Sequence, residues 1–220
     1  MKPNVLIPMA GLGSRFIKEG FKVPKQIINI KDKHLIDISL DCIDYKDCNL
    51  IFVVRDEHVY NFHMDELLKK KFGNDIGIVV LDKLTDGSVC SCLYAEDYID
   101  NEAPLVIHTL DIEFRPVFNP HVLNDLDDDG LILTFKSNST NYSYAEIGKK
   151  GYVTKTAEKK AISPHACVGI YGFKRGDEFC NYAREMVRRN LRTNNEFYIS
   201  PLYNVLIEDG KKIVTEGVDK

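Results

Sequence analysis

The chain predicts an α/β fold, a mostly parallel sheet flanked by helices with a smaller β-rich portion inserted in its second half. Three observations carry that prediction. Apolar runs of strand length recur at residues 5–7, 50–54, 76–81 and 105–107, too uniformly apolar for a sheet face open to water. The first three are each followed by a polar loop and a stretch of helical character, so strand, loop and helix are written three times in succession. From Ser137 the texture turns polar and aromatic and then alternates, with glycines between the apolar stretches. A chain of 220 residues suits one domain.

Taken in order, residues 5–7 form the first strand and run through Pro8 into Met9-Ala10-Gly11-Leu12-Gly13-Ser14-Arg15, a turn leading to a short helical segment. Residues 34–43 read as a helix, 49–55 as the second strand, and 57–72 as one amphipathic helix closed by Gly73. A third strand at 75–81 precedes the polar loop 82–88 and a helix through Tyr98. Residues 104–114 read as a long buried strand carrying Asp111 near its end, and 131–135 as another. Residues 145–160 form a hairpin with a Gly-containing turn, 165–173 a strand, and 176–191 a helix.

The chemistry begins at the first turn. Gly11 and Gly13 lack Cβ atoms, so their backbone N–H groups can converge on an anion, and the helix start behind them favours negative charge. Arg15 and Lys25 supply countercharge, and a triphosphate carries roughly four negative charges for such a seat to offset. Two familiar phosphate loops are excluded: Ser14-Arg15 stands where a Walker loop needs Lys-Ser/Thr, and Phe16 stands where a dinucleotide fingerprint needs its third glycine. In open parallel sheets ligands lie beyond the carboxyl ends of the strands, so Thr85, Gly87 and Ser88 in the loop after the third strand become a second candidate wall.

Gly11-Leu12-Gly13-Ser14-Arg15 followed by Pro24-Lys25 resembles the signature of the sugar-phosphate nucleotidyltransferases. The resemblance implies a Rossmann-like fold in which residues 1–135 bind mainly nucleotide and 136–220 mainly acceptor. Met9, Ala10, Gly11, Gly13 and Ser14 would hold the triphosphate and Thr85, Gly87 and Ser88 the base, while Arg15 and Lys25 stabilise the pyrophosphate leaving group. Asp111 matches the family's metal-binding aspartate, although Leu110 replaces the small residue that usually precedes it; Asp219 stands where uridylyltransferase relatives carry a second ligand for Mg²⁺. A hard cation suits carboxylates of this kind. Glu146, Lys159, Gly169 and Glu196 would meet the acceptor, with Glu158-Lys159-Lys160 lacking the proline of the family's Glu-Lys-Pro.

The implied reaction transfers a nucleotidyl group from a nucleoside triphosphate, CTP favoured by the compact length and Pro24-Lys25-Gln26, to a phosphorylated sugar, polyol or small alcohol. Capsule or surface-polysaccharide precursor supply is the implied setting, and a homodimer is compatible with it. The alternatives are a nucleotide-sugar-binding glycosyltransferase, for which Asp127-Asp128-Asp129 offers an Asp-x-Asp without a preceding apolar strand, and a noncatalytic nucleotide-binding regulator.

A net charge of −4 argues against nucleic acid as the main partner. The six cysteines show neither C-x-x-C nor zinc spacing, which fits buried residues in a reducing compartment. With no apolar stretch of membrane length, and residues 1–4 running straight into a strand, the expected location is cytoplasmic, away from the membrane.

Overall fold

A computed structural model describes residues 1–110 and 112–220. The first strand, β1 (Asn4–Pro8), ends at the glycine turn, and Gly13 starts α1 (Ser14–Lys18). A small hairpin, β2 (Asn29–Ile30) and β3 (Lys33–His34), leads into α2 (Leu35–Leu40). The second apolar run is β4 (Asn49–Arg55), buried along nearly its whole length.

The expected helix over 57–72 is two helices, α3 (Asp56–Phe62) and α4 (Met64–Phe72), broken at His63 with φ 48°. Histidine is among the non-glycine residues that tolerate this left-handed conformation, so the break occurs without Gly or Pro. Next come β5 (Gly77–Leu81), α5 (Ser88–Leu93) and α6 (Glu96–Ile99), again two helices where periodicity predicted one. Cys90 and Cys92 are therefore helical and do not pair; burial pushes the Cys92 thiol up.

The expected strand over 104–114 ends early, as β6 (Leu105–His108). The second half supplies β7 (Gly130–Lys136), the hairpin β8 (Ser143–Ile147) and β9 (Val153–Glu158), the long β10 (His165–Phe173), α7 (Gly176–Arg188), α8 (Ile199–Glu208) and β11 (Ile213–Gly217). Among the described residues nine strands form one sheet in the order β11-β7-β10-β6-β1-β4-β5, with β8 paired to β10 and β9 to β8.

Strands β6, β1, β4 and β5 run parallel, and β11 runs parallel to β7. Between these two sets β10 is antiparallel to both β6 and β7. The carboxyl ends of β1, β4, β5, β6, β7 and β11 thus share one edge of the sheet, and β10 enters from that edge. There the β8–β9 hairpin continues the sheet past the end of β6, which is the β-rich insertion expected from sequence.

Alternation along the strands sends Leu6, Ile51 and Val53 into the core beneath α5, α7 and α8, and Val5, Ile7, Phe52 and Val54 into the core beneath α2 and α4. Each fully buried side chain of this size contributes about 1.5–3 kcal/mol. In the first core Tyr203 stacks on Phe173 at 4.8 Å between centroids, and its hydroxyl donates to the Gly172 carbonyl at 2.9 Å. Tyr203→Phe keeps the stacking and loses the bond, so chemical denaturation should show a loss of about 1 kcal/mol.

Lys211 ties β11 back to the body of the fold. Its ammonium donates to Asp129 at 3.0 Å and to Glu178 at 2.7 Å, and Asp129 also accepts the Lys212 N–H at 2.8 Å. Asp129, the last residue of the Asp127-Asp128-Asp129 stretch, thus has a structural task. Burial opposes both charges, yet the hydrogen bonds win: the Asp129 carboxyl is held below its ordinary 3.8 and the Lys211 ammonium above its ordinary 10.5. The carboxylate's contribution is complete above pH 3.8 and is lost as pH falls through its lower folded value. The ammonium's is complete below pH 10.5 and is lost as pH rises through its higher folded value. In a pH series of melting curves, Asp129→Asn should therefore lower stability at neutral pH and flatten the acid limb.

Candidate functional site

At the head of the site, Gly13 adopts φ 62° and ψ 33° and its carbonyl accepts the N–H groups of Phe16 and Ile17, at 2.9 and 3.2 Å. A Cβ built on Gly13 would stand 3.7 Å from the Lys25 Cβ, so the stem of Lys25 lies against the glycine turn. What holds Lys25 there is its neighbour: buried Gln26 donates from Nε2 to the Met9 carbonyl at 2.6 Å, and Met9 in turn donates to Val53 at 2.9 Å. Sequence reasoning quoted Gln26 and gave it no part in building the seat. Its signal was a polar residue in an otherwise apolar stretch directly after the lysine.

Met9 and Ala10 are buried beneath the turn, whereas Gly11, Ser14 and Arg15 are exposed on it. Nothing lies within 4 Å of the position a Gly11 Cβ would take, and no positive φ demands glycine there. The fold does not need this glycine, and the space over it is open to a ligand. Gly11→Ala should leave the melting temperature unchanged and, on the expectation that the turn seats a triphosphate, raise the KM for it roughly tenfold, the equivalent of about 1.4 kcal/mol.

The second wall has a different logic. Gly87 has φ 125°, and a Cβ there would lie 2.5 Å from the Phe197 nitrogen and 2.6 Å from its carbonyl oxygen. The inner side of this glycine, in the loop expected to hold the base, is thus filled by the protein's own backbone. Phe197 N–H donates to Asp86 at 2.8 Å and Val89 N–H donates to Phe197 at 3.0 Å. Thr85 Oγ1 is 2.6 Å from Ser91 Oγ and also donates to the Gly87 carbonyl, and Ser88 Oγ donates to the Phe197 carbonyl at 3.4 Å. These side chains stiffen the loop before any ligand arrives.

The same contacts draw in part of the acceptor set. Thr193 and Glu196 exchange N–H···O bonds of 2.9 and 3.0 Å across Asn194 and Asn195, both left-handed, which is a two-residue type I′ turn with asparagine at each positive-φ position. Glu196 is exposed at its foot. Tyr198, just beyond, accepts the Lys159 ammonium at 3.3 Å. Lys159 itself has φ 54° and is anchored by its N–H to the Tyr142 carbonyl.

Gly169 is placed otherwise. It has φ 92°, and a Cβ there would meet Thr109 Oγ1 at 2.2 Å, while its carbonyl accepts the Thr109 N–H at 3.0 Å. The surface approaching this glycine is Thr109, at the end of β6. Glu146 stands apart: alternation on β8 puts it with Tyr144, on the sheet face opposite Ala145, which packs in the same core as Phe197.

Of the two carboxylates assigned to Mg²⁺, Asp111 lies outside the described residues. Leu110 before it has φ 60° with its side chain buried, a conformation costly for a bulky residue and native to glycine, which accounts physically for the small residue expected there. Asp219 is exposed and firmly placed, exchanging N–H···O bonds of 2.8 Å with Arg115. It lines a cleft of about 410 Å³ with Pro116, Phe135, Lys136, His165 and Val218, at the β7–β11 end of the ligand edge. Among the described residues no three His, Cys, Asp or Glu side chains gather as a metal cage. A carboxylate open to solvent on this edge fits Mg²⁺, which keeps several waters and takes one or two protein carboxylates.

Among the described residues no helix is long and apolar enough to cross a membrane.

No protein-family model matches the chain, and no curated protein matches it. Solved structures do. The nucleoside-diphosphate-sugar pyrophosphorylase from Vibrio cholerae is 27% identical with a TM-score of 0.84, over 97% of this chain and 91% of that one. The CTP:phosphocholine cytidylyltransferase from Streptococcus pneumoniae is 17% identical with a TM-score of 0.74, over 100% and 91%. The inositol-1-phosphate CTP transferase from T. maritima is 14% identical with a TM-score of 0.74, over 99% and 85%. The structural neighbours are nucleotidyltransferases, in agreement with the resemblance read from the glycine turn, and the fold is theirs.

Proposed function

We propose that the chain is a Mg²⁺-dependent nucleotidyltransferase that joins a nucleoside triphosphate, CTP favoured, to a phosphorylated sugar, polyol or small alcohol and releases pyrophosphate. The activated product would feed assembly of capsule or other surface polysaccharide. In this reading residues 1–135 serve mainly the nucleotide and 136–220 mainly the acceptor. One observation supports it: the stem of Lys25 packs on Gly13, and its neighbour Gln26 bonds to the Met9 carbonyl just past the end of β1, which brings a lysine beside the glycine turn.

A phosphate oxygen of the acceptor attacks the α-phosphorus, and the bond to the β-phosphate's bridging oxygen breaks, with pyrophosphate carrying away the electron pair. The acceptor is already an anion, so no protein base or nucleophile is required; the chain's task is to hold two polyanions in line and offset their repulsion. The turn amides bind the triphosphate, and Arg15 and Lys25 stabilise charge accumulating on the leaving group. Lys159 binds the acceptor phosphate and Glu196 its hydroxyls. Asp111 and Asp219 would hold Mg²⁺, which when bound supplies charge neutralisation across the phosphates. Binding of the Thr85–Ser88 loop to the base occurs through its exposed side, because its inner side is occupied by Phe197.

The test is a pyrophosphate-release screen of CTP, UTP, GTP and dTTP against phosphorylated sugars, polyols and alcohols. Release requiring both substrates and Mg²⁺, strongest with CTP, is expected. Tight nucleotide binding with no release from any pair would make the chain a noncatalytic binder.

A further inference from the structure

Two parts of the site that lie far apart in sequence are tied together by a residue not so far used. Arg192 Nη2 donates to Asp86 Oδ2 at 2.8 Å, Nη1 donates to the Asn195 carbonyl at 2.9 Å, and Nε donates to the Asn190 side chain at 2.7 Å. Its guanidinium lies 4.2 Å from the centroid of the Phe197 ring. The fork is thus committed on both edges and one face to the protein, which leaves it poorly placed to meet a ligand phosphate. Arginine suits this post because its planar fork serves several acceptors while stacking on an aromatic ring, which a lysine ammonium does not do.

We propose that Arg192 is a positioning residue that couples nucleotide binding to acceptor binding, by latching the Thr85–Ser88 loop to the Thr193–Glu196 turn. The inference rests on the reading of the Thr85–Ser88 loop as a nucleotide wall.

The connection has two strands. One is backbone: Phe197 N–H to Asp86, Val89 N–H to Phe197, and Gly87 seated against the Phe197 peptide. This part persists without Arg192 and keeps the loop packed. The other is the arginine, which reaches from Asp86 over the Phe197 ring to the Asn195 carbonyl inside the turn. Glu196 stands at the foot of that turn, and Tyr198, two residues on, holds the Lys159 ammonium at 3.3 Å. A nucleotide that quiets the loop therefore quiets the turn and the residues assigned to the acceptor. The energetic coupling is reciprocal, so an acceptor seated on Glu196 tightens the nucleotide. Asp86 is itself well exposed, so the loop end of the latch is free to respond to whatever binds on its outer side.

Amide hydrogen exchange with and without Mg²⁺ and CTP, with UTP, GTP and dTTP in parallel, tests this without knowledge of the acceptor. In the wild-type chain the triphosphate should slow exchange at Val89 and Ser91 and also, at least fivefold, at Thr193 and Glu196. In Arg192→Ala the slowing at Val89 and Ser91 should persist while that at Thr193 and Glu196 vanishes, and Arg192→Lys should recover little of it. Asp86→Asn, which keeps the arginine's other bonds, guards against misfolding of the first variant and should give the same separation. A merely structural arginine would change basal exchange and the melting temperature and leave the nucleotide-induced difference intact, which overturns the inference. Slowing confined to the loop in the wild type overturns it too, with the nucleotide reading left standing. A wild-type chain in which no triphosphate slows Val89 or Ser91 overturns the nucleotide wall itself, and the inference with it.

Discussion

Replacing Lys25 by alanine is expected to cut turnover about 30- to 900-fold, or about 2 to 4 kcal/mol in the barrier, the usual scale for one preorganised group facing charge that develops in the transition state. The magnitude follows from fixation. A flexible surface lysine would spend rotamer entropy on reaching the phosphates, whereas this one has its stem already laid against Gly13 and its neighbour Gln26 buried and bonded to Met9. The loss should fall on kcat more than on KM, because the leaving group gains charge only as the bond breaks. Lys22→Ala, exposed and three residues away, is the control and should turn over near the wild-type rate. Steady-state pyrophosphate release decides it; near-normal kcat in Lys25→Ala with every triphosphate would remove the lysine from the reaction.

The second large effect concerns Gly87→Ala, expected to lower stability by about 3 kcal/mol, the sum of a strained φ and an overpacked contact. Backbone, and not a movable side-chain tip, occupies the place of the new methyl group, so the Asp86–Phe197 bond has to open to admit it. For a chain of this size the melting temperature should fall by roughly 6 to 12 °C. Gly217→Ala, with nothing within 4 Å and no positive φ, should shift it negligibly. A Gly87→Ala protein that melts with the wild type would show that the loop and the Phe197 peptide are not in contact.

These two residues also mark what the sequence could and could not reveal. The contacts that bring Lys25 against Gly13 lie within the eighteen residues from Met9 to Gln26, close enough in sequence for turn chemistry and one apolar strand to bear on them. Gly87 was assigned to the nucleobase from its loop; the backbone it lies against is that of Phe197, far away in the chain, and no local signal connects the two positions. Strand direction shows the same limit. The apolar run of β10 is as evident as that of β6, yet its antiparallel course follows from the hairpin and crossover that precede it, which periodicity does not encode. The break at His63 escaped because neither Gly nor Pro marks it; a histidine in the left-handed conformation ends α3 and starts α4. Glu146 and Gly169 were assigned to the acceptor by likeness of motif; Glu146 shares a face of β8 with Tyr144, and the backbone of Gly169 lies against Thr109.

The cleft beside Asp219 offers the phosphates a competing address, since Lys136 and His165 line it and stand 3.4 Å apart at Nζ and Nε2. A crystal soaked with Mg²⁺ and CTP therefore gives the most direct test of where the triphosphate sits. The account predicts phosphate density over the Gly11–Ser14 amides, with the Lys25 ammonium within hydrogen-bond distance and a cation against Asp219. Phosphate density confined to Lys136 and His165, with the glycine turn bare, would contradict it.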